Sequence, residues 1–136
     1  IISVAKTVEV WATKSDYTRL DDLDNGMNNL MEIMNISNWR TLYPAFKWCA
    51  DYGIDWYLPA SNELQALWGV RKSVNNTMSL WGYEEMDDSG CWSSTTGGSS
   101  NSRALGWGHF SSQSTNMLNA GTTKTESQTV RAVFAF

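Results

Sequence analysis

The sequence predicts an α+β domain. Two alternating, β-branched segments stand near its ends, and two helical stretches lie between them. Apolar and polar residues that alternate with a period of two fit a half-buried strand, whereas apolar residues three and four apart fit one face of a helix. Strands at both ends of a helical middle place the chain ends close together. A length of 136 residues suits one domain, taken as 1–136.

The elements follow in order. Ile1–Trp11 reads as a strand, with its paired part near Val4–Val10. Asp21–Asn29 reads as an acidic turn, and Asn25-Gly26 is its sharpest signal. Leu30, Ile33, Met34 and Ile36 follow at near-helical spacing. A helix is expected over Pro44–Tyr52, because Pro suits the first helical turn and Gly53 a stop. A second is expected over Ser61–Ser73, with Ser61 as N-cap, Glu63 at the positive end, and Leu64, Leu67 and Trp68 as the apolar stripe. From Ser93 to Thr129 the composition turns to Ser, Thr, Gly and Asn, and the only charged residues are Arg103, Lys124 and Glu126. Such a stretch is too long for a structureless loop. Trp107 and Phe110 imply strands within it whose small polar residues face outward. The closing strand near Val130–Phe134 is expected to pair with the first.

Composition excludes several classes. Apolar residues make up 42% of the chain, including 8 Trp, enough to fill a core, so a disordered chain is not expected. A net charge of −4 with no basic stripe argues against a nucleic-acid partner. No basic amphipathic helix and no long apolar run is present, so direct membrane insertion by this segment is not expected. The first residue is Ile1 and no signal pattern precedes it, which fits a part of something longer. Cys49 and Cys91 would make one disulfide at most. His109 is the only His and there is no Cys-x-x-Cys, so neither a metal nor another cofactor is expected.

Four segments together carry a family resemblance: Asp24-Asn25-Gly26-Met27-Asn28-Asn29; Tyr43-Pro44-Ala45-Phe46-Lys47-Trp48-Cys49; Trp56-Tyr57-Leu58-Pro59-Ala60-Ser61-Asn62-Glu63-Leu64; and Cys91-Trp92-Ser93-Ser94-Thr95 with Val130-Arg131-Ala132-Val133. They resemble domains related to the Fibrobacter succinogenes major paralogous domain, which have a C-type-lectin-like fold. Within that group the chain looks most like the variable proteins of diversity-generating retroelements. Those proteins keep a constant scaffold and randomise C-terminal codons, chiefly at adenines. The resemblance implies a constant scaffold at about 1–90 and 130–136 and a variable ligand-binding segment at about 91–129. It implies a ligand-binding module, a receptor-binding or surface-display protein that meets a protein or glycan target outside the cell, on a bacterial surface or a phage virion. Relatives often have Tyr where this chain has Cys91, a single adenine change away, so Cys91 is expected to be a diversified position. Many relatives also carry a last-strand Cys where this chain has Ala132, so Cys49 is expected to be unpaired.

On this reading the ligand-facing residues are Cys91, Ser99, Asn101, Arg103, Leu105, Trp107, His109, Ser114, Asn116, Leu118, Thr123 and Ser127, because alternate residues of a strand share a face. Trp107 has two readings, packing beneath the surface or an exposed anchor. Trp48, Trp56, Trp68 and Trp92 read as core. The Glu-Pro-Asn, Gln-Pro-Asp and Trp-Asn-Asp signatures that calcium-dependent sugar binding resembles are missing. Asp21, Asn25, Gly26 and Glu32 partly match a calcium loop, but Leu23 stands where an oxygen ligand is needed, and a solvated acidic turn is preferred. Glu84-Glu85 and Asp87-Asp88 read as a solvated loop rather than an acid–base pair. His109 has no nucleophile motif beside it. The fold is shared with formylglycine-generating enzymes, whose paired reactive thiols do not carry over to Cys49 and Cys91. The domain is therefore not expected to be an enzyme. A structural adhesin or pilus-tip domain and an undiversified carbohydrate-binding domain are the rival readings. The latter calls for aromatic side chains exposed on one face.

Overall fold

The computed structural model describes residues 1–87, 89–97, 100–107 and 121–135, with Trp107 described in its backbone alone. The chain is an α+β structure, in the order β1 (Thr7–Val10), α1 (Gly26–Met34), α2 (Trp39–Leu42), α3 (Pro44–Tyr52), β2 (Trp56–Tyr57), α4 (Ser61–Gly69), α5 (Arg71–Leu80), β3 (Cys91–Thr96), β4 (Arg103–Trp107), β5 (Thr122–Thr123), β6 (Ser127–Val130) and β7 (Val133–Phe134). Five strands form one mixed sheet in the order β1-β6-β3-β4-β5, and β2 pairs with β7 in a small second sheet.

The two ends of the chain do pair. β1 runs antiparallel to β6, from Thr7 opposite Val130 to Val10 opposite Ser127. A separate antiparallel bridge joins Ile2 to Val133. The pairing thus begins earlier in the C-terminal segment than Val130–Phe134, and it is interrupted in the middle. The cause is Arg131, which is 1% exposed. Its guanidinium takes the carbonyls of Ser3 and Val4 at 3.1 and 3.3 Å, and those of Glu84 and Glu85 at 2.8 and 3.1 Å. A buried guanidinium needs partners for its donors, and here four backbone oxygens supply them.

The helix α3 spans Pro44–Tyr52 as expected, with Pro at its start and Gly53 as C-cap. Ala45, Phe46 and Cys49 are its buried side. Phe46, Tyr43 and Trp11 pack edge to face, with ring centroids 4.9–6.1 Å apart. Trp11 and Trp92 are both buried, and each indole N–H donates to a backbone carbonyl, Ser93 and Glu9 respectively, at 3.0 Å. Trp48, Trp56 and Trp68 are only half-buried, at the margins of the two apolar clusters.

Three local expectations need correction. Asn25-Gly26 opens α1 instead of turning the chain: the Asn25 side chain accepts from the N–H groups of Met27 and Asn28 as an N-cap. Gly is needed next because a Cβ at position 26 would lie 2.3 Å from the Leu58 carbonyl oxygen. Second, the stretch Ser61–Ser73 is not one helix but parts of α4 and α5, which break at Val70. Third, the N-cap of α4 is Ala60, not Ser61. The Glu63 carboxylate does the capping, accepting from the N–H of Ala60 at 2.8 Å, of Gly26 at 2.9 Å, and from the Tyr57 hydroxyl at 2.7 Å. One carboxylate therefore ties together the starts of two helices.

Candidate functional site

The sequence singled out the C-terminal third, and the structure divides it into an anchored part and an open part. β3 is anchored. All six of its residues are buried, contrary to the expectation of small polar residues facing out. Each hydroxyl of Ser93–Thr96 has a partner: Ser93 donates to the Leu105 carbonyl, Ser94 accepts from Asn29, Thr95 donates to the Asp22 carbonyl, and Thr96 donates to the Thr18 carbonyl, at 2.7–3.1 Å. Buried hydroxyls are tolerated when paired in this way.

Cys91, expected on the ligand-facing surface, begins this strand and is 1% exposed, packed with Leu64 and Met86. It is removed from the open face because β3 is covered on both sides. Cys49 lies in the main core, and both thiols are free. Burial pushes the Cys91 thiol up to about 12, and raises that of Cys49 as well.

Among the described residues, the more exposed part lies on β4 and β5, and a Cβ at Gly97 before it would fall 2.0 Å from the Leu105 side chain. β4 and β5 pair antiparallel, with Arg103 opposite Thr123 and Ala104 opposite Thr122. Residues directly opposed across an antiparallel pair share a face, as do residues two apart on one strand. Arg103, Leu105 and Thr123 therefore present one side, while Ala104, fully buried, points to the other. Arg103 is exposed, whereas Leu105 and Thr123 are half-buried. The Arg103 guanidinium donates to the Gly121 carbonyl at 3.1 Å, and a Cβ at Gly121 would come within 3.0 Å of Arg103 Cβ.

Asn101 sits in the turn before β4, half-buried, and its side-chain oxygen accepts from Arg19 at 3.0 Å. Arg19 pairs in turn with Asp21 at 2.6 Å. Sequence reasoning missed Arg19, which lies outside the segment expected to bind ligand. Its only sequence signal was a charged residue in a polar stretch. Ser127 is exposed at the start of β6, two strands away from β4 in the sheet, so it does not join the Arg103 group. Ser99, His109, Ser114, Asn116 and Leu118 lie outside the described residues, as does the Trp107 side chain.

Lys124 was read as one of the few charges of the polar segment. It is fully buried beneath the face. Its Nζ donates to the Thr18 carbonyl at 2.6 Å, pairs with Asp16 at 3.2 Å, and lies 4.1 Å from the Trp11 ring centroid. Asp16 also accepts from the Tyr43 hydroxyl at 2.6 Å. Burial raises the Asp16 pKa, but the bonds from Tyr43 and Lys124 and the charge of Lys124 outweigh it and hold the carboxyl below its usual value.

The face thus offers a guanidinium, a hydroxyl and an aliphatic side chain, with the Asn101 amide in the turn before it. That inventory suits polar recognition. Among the described residues, no group of three or more His, Cys, Asp or Glu is placed to hold a metal ion, and no helix is long and apolar enough to cross a membrane. No protein-family model, curated protein or solved structure matches the chain.

Proposed function

We propose that this chain is a ligand-binding domain of C-type-lectin-like fold, a retroelement-diversified protein that displays a variable face to a protein or glycan target. The observation that supports the reading is the segregation of side chains in the C-terminal third. The side chains of Ser94, Thr95 and Thr96, together with Lys124 and Arg131, are buried and bonded to atoms of residues 3–29 and 84–85, and that of Ser93 is buried and bonded to the Leu105 carbonyl. Arg103, Leu105 and Thr123 instead share one side of the β4–β5 pair, where Arg103 is exposed, Leu105 and Thr123 are half-buried, and the Arg103 guanidinium bonds to the Gly121 carbonyl of the same segment. The binding mechanism is rigid presentation: the frame is ordered beforehand, so a ligand meets adaptable polar groups at little ordering cost. Calcium plays no part in this reading, nor does chemistry on the ligand. The setting proposed is extracellular, at a bacterial surface or on a phage virion.

The test is genetic. The DNA around the gene should hold a near-copy of codons 91–136 that differs only at template adenines, beside a reverse transcriptase gene. Absence of that repeat from the complete surrounding genome would remove the diversified reading and leave the structural adhesin as the better account. Within such a repeat, codon 91 should be invariant if burial of Cys91 governs it.

A further inference from the structure

Five apolar side chains stand in the open around α5 and the N-terminal segment: Ile1, Val4, Leu80, Trp81 and Tyr83, at 62%, 40%, 85%, 75% and 48% exposure. All but Leu80 line one groove of about 320 Å³ between α5 and that segment, and Leu80 ends the helix beside Trp81. Among the described residues, no charged side chain lines the groove. At about 200 Å² for a large residue, the five exposures amount to about 600 Å² of open apolar surface. That is as much as the largest patch of a typical monomer, and it reaches the roughly 600 Å² that each side of a stable interface must bury.

The two rings are held by the way the helix ends. Gly82 has φ +72°. The Tyr83 N–H donates to the Met78 carbonyl at 2.9 Å and the Gly82 N–H to that of Ser79 at 3.1 Å. This is the double bond pattern of a glycine-terminated helix, which brings the residue after Gly back over the last turn. The aromatic pair is thus fixed to the helix, which lowers the ordering cost of association.

Charge selects the occupant. Lys72 is exposed in the first turn of α5, and Glu84 and Glu85 are exposed just past its end. Ser73–Tyr83, between them, has no charged residue. The helix dipole favours the opposite order, acids first and bases last, so the helix alone gives no reason for this one. A second α5 laid antiparallel on the first supplies the reason. The acidic end of each helix then meets Lys72 of the other, once on either side of a two-fold axis. Such an axis sets a patch against its own copy, so a charge close to it would face its like. An uncharged middle with opposite charges at its two ends suits that arrangement, in a chain whose net charge of −4 otherwise keeps copies apart. A lipid surface fits less well. Helices that lie on membranes carry several Lys or Arg on the polar face. Here Arg71 is turned to Trp68, over its ring at 4.1 Å and bonded to its carbonyl at 3.1 Å, and acids hold the other end.

We propose that this face joins two copies of the chain in a two-fold dimer, with the α5 helices antiparallel, Trp81 of each copy in the groove of the other, and Lys72 of each beside Glu85 of the other. The interface uses no residue of the β4–β5 face, so it stands or falls apart from the diversified reading.

Sedimentation velocity and light scattering on the full chain, from about 1 µM to about 500 µM, should show a reversible doubling of mass with a Kd below about 100 µM. Trp81→Ala should weaken the dimer at least tenfold with an unchanged far-ultraviolet spectrum. Lys72→Glu and Glu85→Lys should each weaken it too, because each sets like charges together at both contacts. Mixed in equal amounts, these two variants should form a heterodimer at least tenfold tighter than either homodimer, since both contacts are then of opposite sign, and added salt should narrow the gap. A parent chain still monomeric at about 500 µM, a Trp81→Ala dimer as tight as the parent's, or a mixture no tighter than its components overturns the proposal. So does a parent that binds neutral phosphatidylcholine vesicles through Trp81 while remaining a monomer, since the face would then belong to a membrane.

Discussion

Replacing Lys124 by Met keeps the length and apolar stem of the side chain and removes its charge. The native ammonium is buried, 2.6 Å from the Thr18 carbonyl, 3.2 Å from Asp16 and 4.1 Å from the Trp11 ring centroid. A charged hydrogen bond contributes about 1.5–3 kcal/mol and a desolvated cation–π contact up to about 2 kcal/mol. Removing one member of a buried pair strands the other and costs about 3–5 kcal/mol. Asp16 keeps its bonds from Tyr43 and the Thr18 N–H, and its side chain is 14% exposed. The lower end, about 3 kcal/mol, is therefore expected from these ranges. Urea unfolding followed by tryptophan fluorescence should show it as a lower midpoint with an unchanged slope. Adding Asp16→Asn should recover at least about 1 kcal/mol, because no uncompensated charge remains. A cost below about 1 kcal/mol for Lys124→Met, or a double variant less stable than the single, would refute the view that this pair holds the 16–18 loop beneath the face.

Other outcomes follow from the same structure. The Asp16 carboxyl sits below its usual 3.8 in the folded chain, so it adds stability above the unfolded value that is lost as pH falls through the folded one. Acid unfolding scans should accordingly lose less stability below about pH 4 in Asp16→Asn than in the parent. Arg131→Met should cost about 3–5 kcal/mol by chemical denaturation, since four backbone acceptors lose a shared charged donor; a cost below about 1 kcal/mol would show that water replaces it. A thiol reagent at pH 8 should find Cys49 and Cys91 slow in the native chain and count two groups after denaturation, because burial disfavours both thiolates. Arg103→Ala and Thr123→Ala should each change stability by no more than about 0.5 kcal/mol, with larger losses counting against an open face.

The parts legible in the sequence are those set by local chemistry. Pro44 and Gly53 bracket α3, and alternation marks β1 and the C-terminal pairing. Asn25-Gly26 misled because Asn serves a turn and an N-cap equally well, and the Leu58 carbonyl that demands the glycine lies far along the chain. Ser93–Thr96 read as surface because small polar residues usually are; their partners come from the loop holding Thr18 and Asp22, from Asn29 of α1 and from Leu105 of β4. Lys124 read only as one of three charges in the same polar stretch, and its burial follows from Asp16 and Trp11, which the fold brings around it. At the candidate face, alternation along β4 was legible. The contribution of Arg19 was not, since it depends on a loop 82 residues away.

Arg131 also bears on how the domain carries load. Ile2 and Val133 lie side by side, so a pull that separates residues 1–3 from 132–134 loads their hydrogen bonds one after another, as a zipper opens. Such peeling resists force weakly. It then meets Arg131, whose four bonds to Ser3, Val4, Glu84 and Glu85 hold three stretches of chain to one guanidinium. Those bonds must give way nearly together before β1 can leave β6. The domain is therefore built to fray at its ends under tension and to stop there, with the sheet behind the stop, including the β4–β5 face, still in register.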